Sequence, residues 1–341
     1  MGRSKRNQYH KSLHQQIHER LVSMQAFGDS RREDKKRGAD RGKIYSFSTY
    51  QTYRRAAMRF VKYIEQTHPD CTTMKKSKRY VSEWLCSRRE EGVSNWTLAM
   101  ETSALCKLYG ILPDDPDRFH PPARRREDIK RSRGDAKRDA HFSIKNNDEL
   151  IKFVCATGTR RGVLERLRGD QLWSRERMEA QAAMLEEKKT RTDREAHRLA
   201  LIRQALSDFP EFDYYLIHSR DKGGKSRFAP VRPELQELVV RRMEEAGTTG
   251  LVFQRVHDGA DIHHYRGVYA RNLYRRFARK IEDIPYDRIN RGSGRRYQSE
   301  VYCCRGDEKG RKMDRRALLL VSRALGHNRV NVVAENYLYG L

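Results

Sequence analysis

The 341 residues contain no apolar run near the roughly 20 needed to span a bilayer. The N-terminus, Met1-Gly2-Arg3-Ser4-Lys5-Arg6, leads into no apolar signal core. A membrane role is therefore not expected, and a cytoplasmic, nucleoid-associated location is. The six cysteines (Cys71, Cys86, Cys106, Cys155, Cys303 and Cys304) show no paired C-x-x-C spacing, and Cys303 and Cys304 are adjacent. That spacing suits neither a disulfide framework nor tetrahedral zinc, so all six are read as reduced and mostly buried. Neither metal nor organic cofactor is expected. Negative charge is also scarce: Asp+Glu number 46 against 72 Lys+Arg, a formal net charge of +26. Such a field attracts polyanions, nucleic acid foremost. Enough apolar and aromatic residues remain for cores, and the length allows two domains.

Residues 1–43 are polar and basic, with one helical stripe at Leu13, Ile17, Leu21 and Met24. They are expected to form an arm, either docking or solvated. Over 44–112 the periodicity predicts a small helical bundle. Ser48 and Gln51 have capping-box spacing before Tyr53, Ala57, Phe60, Val61 and Ile64. Tyr80 to Leu85 mark a second helix, and Ser94 opens a third that ends at Gly110. Arg54, Arg55, Arg59 and Lys62 give the first helix a basic face able to meet phosphates. Residues 113–141, with four prolines followed by basic clusters that include Arg124 and Arg125, read as a cationic linker.

From 142 to 341 a mainly helical second domain is expected. Residues 173–208 hold no glycine or proline and predict an inserted helix or helical hairpin. Tyr214 to Ile217 and Arg227 to Val231 predict a β-hairpin around Asp221-Lys222-Gly223-Gly224-Lys225. A second insertion, 283–312, reads as irregular. The fold class is thus α+β, mainly α with a small antiparallel sheet.

Four segments far apart in sequence each display a cation or a proton carrier. They are Thr157-Gly158-Thr159-Arg160, Lys222 on the hairpin, His263-His264-Tyr265-Arg266, and Leu325-Gly326-His327 with Tyr337. His263 and Arg266 are spaced i,i+3 and share a helical face. Cleavage of a phosphodiester by a tyrosine needs such a set. Two arginines neutralise the pentacoordinate transition state without a metal. A histidine takes the proton from a phenol of pKa about 10, and a lysine can protonate the departing oxygen.

The ordered set resembles the tyrosine recombinase, or phage-type integrase, family. The resemblance implies a two-domain DNA clamp, a core-binding domain at 44–112 and a catalytic domain at 142–341. It implies that Arg160 and Arg266 clamp the phosphate and that His263 is the acid/base group. It further assigns Lys222 as the donor to the 5′ oxygen, His327 as a phosphate hydrogen-bond donor and Tyr337 as the nucleophile of a 3′-phosphotyrosyl intermediate. Arg161, Lys225, His264 and Tyr339 are the competitors for these roles. Lys225 and Arg227 join the α-helical arginines as expected DNA contacts. Partners implied are double-stranded attachment sites, a homotetramer on paired sites and a DNA-bending or excision factor. A type IB topoisomerase, with the same chemistry, and a DNA-binding protein without catalysis are the alternatives.

Three departures accompany the resemblance. The family often has an acidic residue three after the first arginine, where this chain has Val163. The stretch from Arg266 to Leu325 is longer than usual. Many relatives continue past the tyrosine into a helix that docks on the next subunit. Here that contact is expected from the Leu13/Ile17/Leu21/Met24 stripe or from the inserted segment.

Overall fold

A computed structural model describes residues 11–125, 142–219, 221, 226–284, 300–327, 329–339 and 341. Lys222 and Lys225 lie outside the described residues, as do 285–299 of the second insertion. The chain divides into two compact units, Met1–Asp128 and Ile129–Leu341.

The described residues of the first unit are built on helices, α1 (Leu13–Ser23), α2 (Arg31–Lys36), α3 (Phe47–Thr67), α4 (Met74–Ser77), α5 (Val81–Glu90) and α6 (Asn95–Tyr109), with one isolated parallel bridge between Gln25 and Ile44. α3 is its axis, burying Tyr50, Ala57, Phe60, Val61 and Ile64 along one stripe. Its cap is Ser46, whose extended backbone lets the hydroxyl accept from the Thr49 amide at 3.2 Å. The expected cap, Ser48, already lies inside the helix. Ser94 does cap α6, and Gly110, at φ +66°, closes it. Phe60 meets Trp84 and Tyr109 edge-on, with centroids at 5.6 and 5.9 Å.

The N-terminal stripe is not an arm. Leu13, Ile17, Leu21 and Met24 are all buried in this unit's own core. Gln16 of α1 donates to the Thr72 carbonyl at 2.9 Å and accepts from the Met74 amide at 3.0 Å. Those apolar faces are consumed internally, so they cannot supply the expected subunit contact.

The second unit combines helices with two small antiparallel sheets. Its elements are α7 (Asp148–Thr157), α8 (Arg161–Leu164), β1 (Leu172–Ser174), α9 (Arg175–Glu187), α10 (Asp193–Asp208), β2 (Tyr214–His218), β3 (Arg227–Pro230), α11 (Gln236–Ala246), α12 (Ile262–Phe277), β4 (Val301–Cys303), β5 (Lys312–Asp314), α13 (Arg315–Ala324) and α14 (Val330–Asn336). The sheet order is β1-β2-β3, with Trp173 opposite Tyr215 and Tyr215 opposite Pro230. α9 and α10 form a helical hairpin between β1 and β2. It is not a solvated appendage, because Met178, Ala182, Ile202 and Ala205 enter the same core as α12, α13 and Tyr337. A second core lies under α7, α11 and the start of α12.

The 283–312 segment is less irregular than its composition suggests. β4 pairs with β5 in a short hairpin whose Met313 and Cys304 are buried in the main core. All six cysteines are free; Cys71, Cys106 and Cys304 are buried, whereas Cys303 is exposed. Among the described residues no helix is long and apolar enough to cross a membrane.

Candidate active site

α7 ends at Gly158, whose φ of +60° turns the chain. A Cβ there would stand 2.4 Å from Cδ1 of the buried Tyr269, so both the backbone and the packing call for glycine. The turn brings Arg160 to the N-terminus of α8 in an extended conformation, its side chain 22% exposed. α12 carries Arg266, which is 1% exposed, and α13 stops at Gly326 with φ +70°.

The end of α13 is the anchor. The last carbonyls of a helix lack intrahelical donors and carry partial negative charge. Here three guanidiniums use them. Arg227 Nε donates to the Ala324 carbonyl at 2.8 Å, Arg160 Nη2 reaches the Leu325 carbonyl at 3.4 Å, and Arg266 Nη2 donates to that same carbonyl. Arg266 Nη1 also donates to the Gly158 carbonyl, tying α12 to the turn after α7. Gly326 permits this approach, since a Cβ would meet Arg227 Nη1 at 2.5 Å.

Tyr337 follows α14 and is 6% exposed. Its hydroxyl accepts from Arg266 Nε at 3.2 Å and lies 3.3 Å from His327 Nε2. Arg160 Nη2 is also 3.4 Å from His327 Nε2. The guanidinium and the phenol therefore meet at one imidazole nitrogen. His327 is held by Ser322, whose carbonyl accepts from the His327 amide at 2.7 Å and whose Oγ donates back to the His327 carbonyl at 2.6 Å. The His263 ring lies beside that of Tyr337, tilted by 49° with centroids 4.9 Å apart. Arg160, His263, Arg266 and Tyr337 line one cleft of about 440 Å³.

Of the competitors, Arg161 borders the same cleft and Lys225 lies outside the described residues. Arg161 donates to the carbonyls of Val256, His257 and Ala260 at 2.9 to 3.1 Å, bracing the loop before α12. His264 sits edge-on against Tyr265 at 5.6 Å. The hydroxyl that meets Arg266 and His327 is that of Tyr337. Arg227 corrects the expectation of a DNA contact, because its side chain is only 10% exposed. Burial, with the Arg266 charge beside it, brings its pKa down to about 10.

Two residues of this site were not anticipated. Asp221, its side chain 4% exposed, receives both Arg160 and Arg227 on one carboxylate oxygen. It supplies the carboxylate absent at Val163, from the loop after β2 instead of the turn after Arg160. The available signal was its place directly before Lys222. The other is His218, fully buried on β2, whose Nδ1 accepts from Arg227 Nη2 at 2.6 Å. Burial, and then the charges of Arg227, Arg266 and Arg160, hold its pKa well below the ordinary histidine value.

A histidine kept neutral in the fold but free to protonate when unfolded makes the unfolded state the better proton binder below pH about 6.5. Stability contributed by His218 is therefore complete above that pH and is lost as pH falls through it. The expected slope is about 1.4 kcal/mol per pH unit for this one group. Urea unfolding between pH 7 and 5 measures it, and the His218→Gln variant, whose amide oxygen can still accept from Arg227, should flatten the slope. An identical slope in that variant would refute the assignment.

Residues 41–114, holding α3 to α6, match the family described as phage integrase, N-terminal SAM-like domain. The match lies wholly in the first unit, whereas the motifs resembling the family lie in the second. This match, confined to the first unit, supports the resemblance to the phage-type integrase family. No curated protein matches the chain significantly.

Proposed function

We propose that the chain is a tyrosine-type site-specific DNA recombinase of the integrase kind. The observation that carries this reading is the Tyr337 hydroxyl lying 3.2 Å from Arg266 Nε and 3.3 Å from His327 Nε2. In the proposed reaction that oxygen attacks a DNA phosphorus, forming the P–O bond of a 3′-phosphotyrosyl link while the bond to the 5′ oxygen breaks. The phenolic proton passes to an imidazole: the resemblance gives this role to His263, whose ring centroid is 4.9 Å from that of Tyr337, and His327 Nε2, 3.3 Å from the hydroxyl, is the second candidate. The departing 5′ oxygen takes a proton, the role proposed for Lys222. Arg160 and Arg266 stabilise the added charge on the phosphate oxygens. Reversal of the step by the 5′-hydroxyl of a second strand exchanges strands without ATP.

On the first unit, Arg54, Arg55, Arg59 and Lys62 line a shallow depression of about 400 Å³ with Met58, a surface suited to a phosphate backbone. Arg59 also pairs with the buried Glu101 at 2.7 Å, which fixes its direction. Arg124, over the Trp96 ring at 4.7 Å, and Arg125 complete the proposed contacts. Binding of both units to one duplex, assembly as a tetramer on paired sites, and a bending or excision factor belong to the same proposal. The integrase match in the first unit favours recombination over simple relaxation of supercoils.

The test is to incubate the protein with fragments of its own source genome, denature, and recover DNA bound to protein. The expected product is a covalent adduct in which the peptide bearing Tyr337 carries a 3′-phosphoryl nucleotide. Absence of any adduct, with DNA binding intact, would leave a binding protein without strand-transfer chemistry.

A further inference from the structure

The β4–β5 hairpin has no part in the chemistry above, yet one of its side chains reaches the far side of the tyrosine. α14 has seven residues and Tyr337 is its C-cap, so the carbonyls that follow have no helical donors. Arg311, just before β5, fills that gap. Its Nη1 and Nη2 both donate to the Leu338 carbonyl at 3.0 Å, and Nη1 reaches the Leu341 carbonyl at 3.3 Å. Arg271 of α12 donates to the Tyr337 carbonyl at 3.4 Å.

Arg311 is itself held in place. The Glu308 carboxylate is 3.2 Å away, the Met313 sulfur accepts at 3.2 Å, and the Arg311 carbonyl accepts from the Cys304 amide at 2.8 Å. At its other end the hairpin runs into Asp314, which is fully buried. Asp314 caps α13 through the Arg316 amide at 2.8 Å and takes Arg279 at 2.8 and 3.0 Å. The hairpin is thus fastened at one end to the helix that presents His327, and at the other to the turn after Tyr337. Met313, Cys304, Tyr337 and Leu338 share one apolar core between those two points.

We infer that the β4–β5 hairpin is a strap and Arg311 a positioning residue for the nucleophile. A helix of seven residues is too short to hold its own end rigidly. A forked guanidinium on the carbonyls beyond it fixes the backbone on which the phenol is mounted, and cationic groups are favoured there by the helix end. The strap keeps the hydroxyl at Arg266 and His327 of its own chain. This inference rests on the reading of Tyr337 as nucleophile, and it gives a task to the described end of the second insertion, from Val301 onward.

Hydrogen–deuterium exchange on the DNA-free full chain tests the strap without reference to catalysis. The Leu338 and Leu341 amides are hydrogen-bonded, to Val333 and Leu338 carbonyls at 3.2 and 3.3 Å. In Arg311→Gln they should exchange about tenfold faster while α13 keeps its protection. Unchanged exchange overturns the inference, and so does equal loss through α13, which would make Arg311 a general stabiliser. On the duplex recovered by trapping, Arg311→Gln should form adduct about 100-fold more slowly at unchanged DNA affinity. Arg311→Lys should recover part of that rate. A wild-type rate in Arg311→Gln counts against positioning. An adduct that survives Tyr337→Phe would instead defeat the nucleophile assignment, leaving the exchange result to decide the strap.

Discussion

Replacing Tyr337 with phenylalanine is expected to abolish the covalent adduct while leaving DNA affinity within about twofold, since the change removes one oxygen and no charge that faces a phosphate. The ring stays in the main core, to which Leu338, Val333 and Met313 also belong. The loss of the hydroxyl leaves Arg266 Nε, in a side chain that is 1% exposed, without that acceptor. An unpaired buried donor costs about 1–3 kcal/mol. The variant should therefore be folded, slightly less stable in urea and unable to form adduct. Adduct formation at the wild-type rate would sink the mechanism. An adduct mapped to Tyr339 would move the nucleophile by two residues and leave the Arg266 and His327 contacts unexplained.

Two of the candidate segments, those of Arg160 and His327, were legible because each follows a helix end. Gly158 and Gly326 mark helix ends that a reader can predict, and the candidate residues Arg160 and His327 sit next to them. The bundle around α3 was legible from its apolar spacing. The fate of individual arginines was not. In a chain with 72 Lys+Arg, a basic strand residue such as Arg227 looks like any other DNA contact. What buries it is the Ala324 carbonyl and the Asp221 carboxylate, partners that only tertiary structure brings together. The N-terminal stripe failed in the opposite sense. Leu13, Ile17, Leu21 and Met24 read equally well as a docking face or as core, and the side on which α3 lies is not written in their spacing. Ser46 and Ser48 differ as caps only in backbone conformation, which the apolar pattern leaves open by two residues.

Asp221 carries the second large effect. Three guanidiniums, those of Arg160, Arg227 and Arg266, converge on the end of α13, and Asp221 is the carboxylate that joins two of them. Helix-end carbonyls offer partial charge only, so without Asp221 the buried Arg227 would keep its desolvation cost and lose its counter-charge. Breaking one side of a buried pair in this way typically costs about 3–5 kcal/mol. Asp221→Ala should lose stability on that scale in urea titrations, and Asp221→Asn less, because the amide oxygen still accepts. Both should also slow adduct formation, since Arg160 loses the partner that aims it. The double variant Asp221→Ala with Arg227→Met decides whether the cost is truly that of an abandoned charge. Removing the arginine as well should restore part of the lost stability, because two apolar groups need no pairing. If the double variant is instead less stable than Asp221→Ala alone, Arg227 stabilises through its contacts with Ala324 and His218, and Asp221 is not the residue that balances the site.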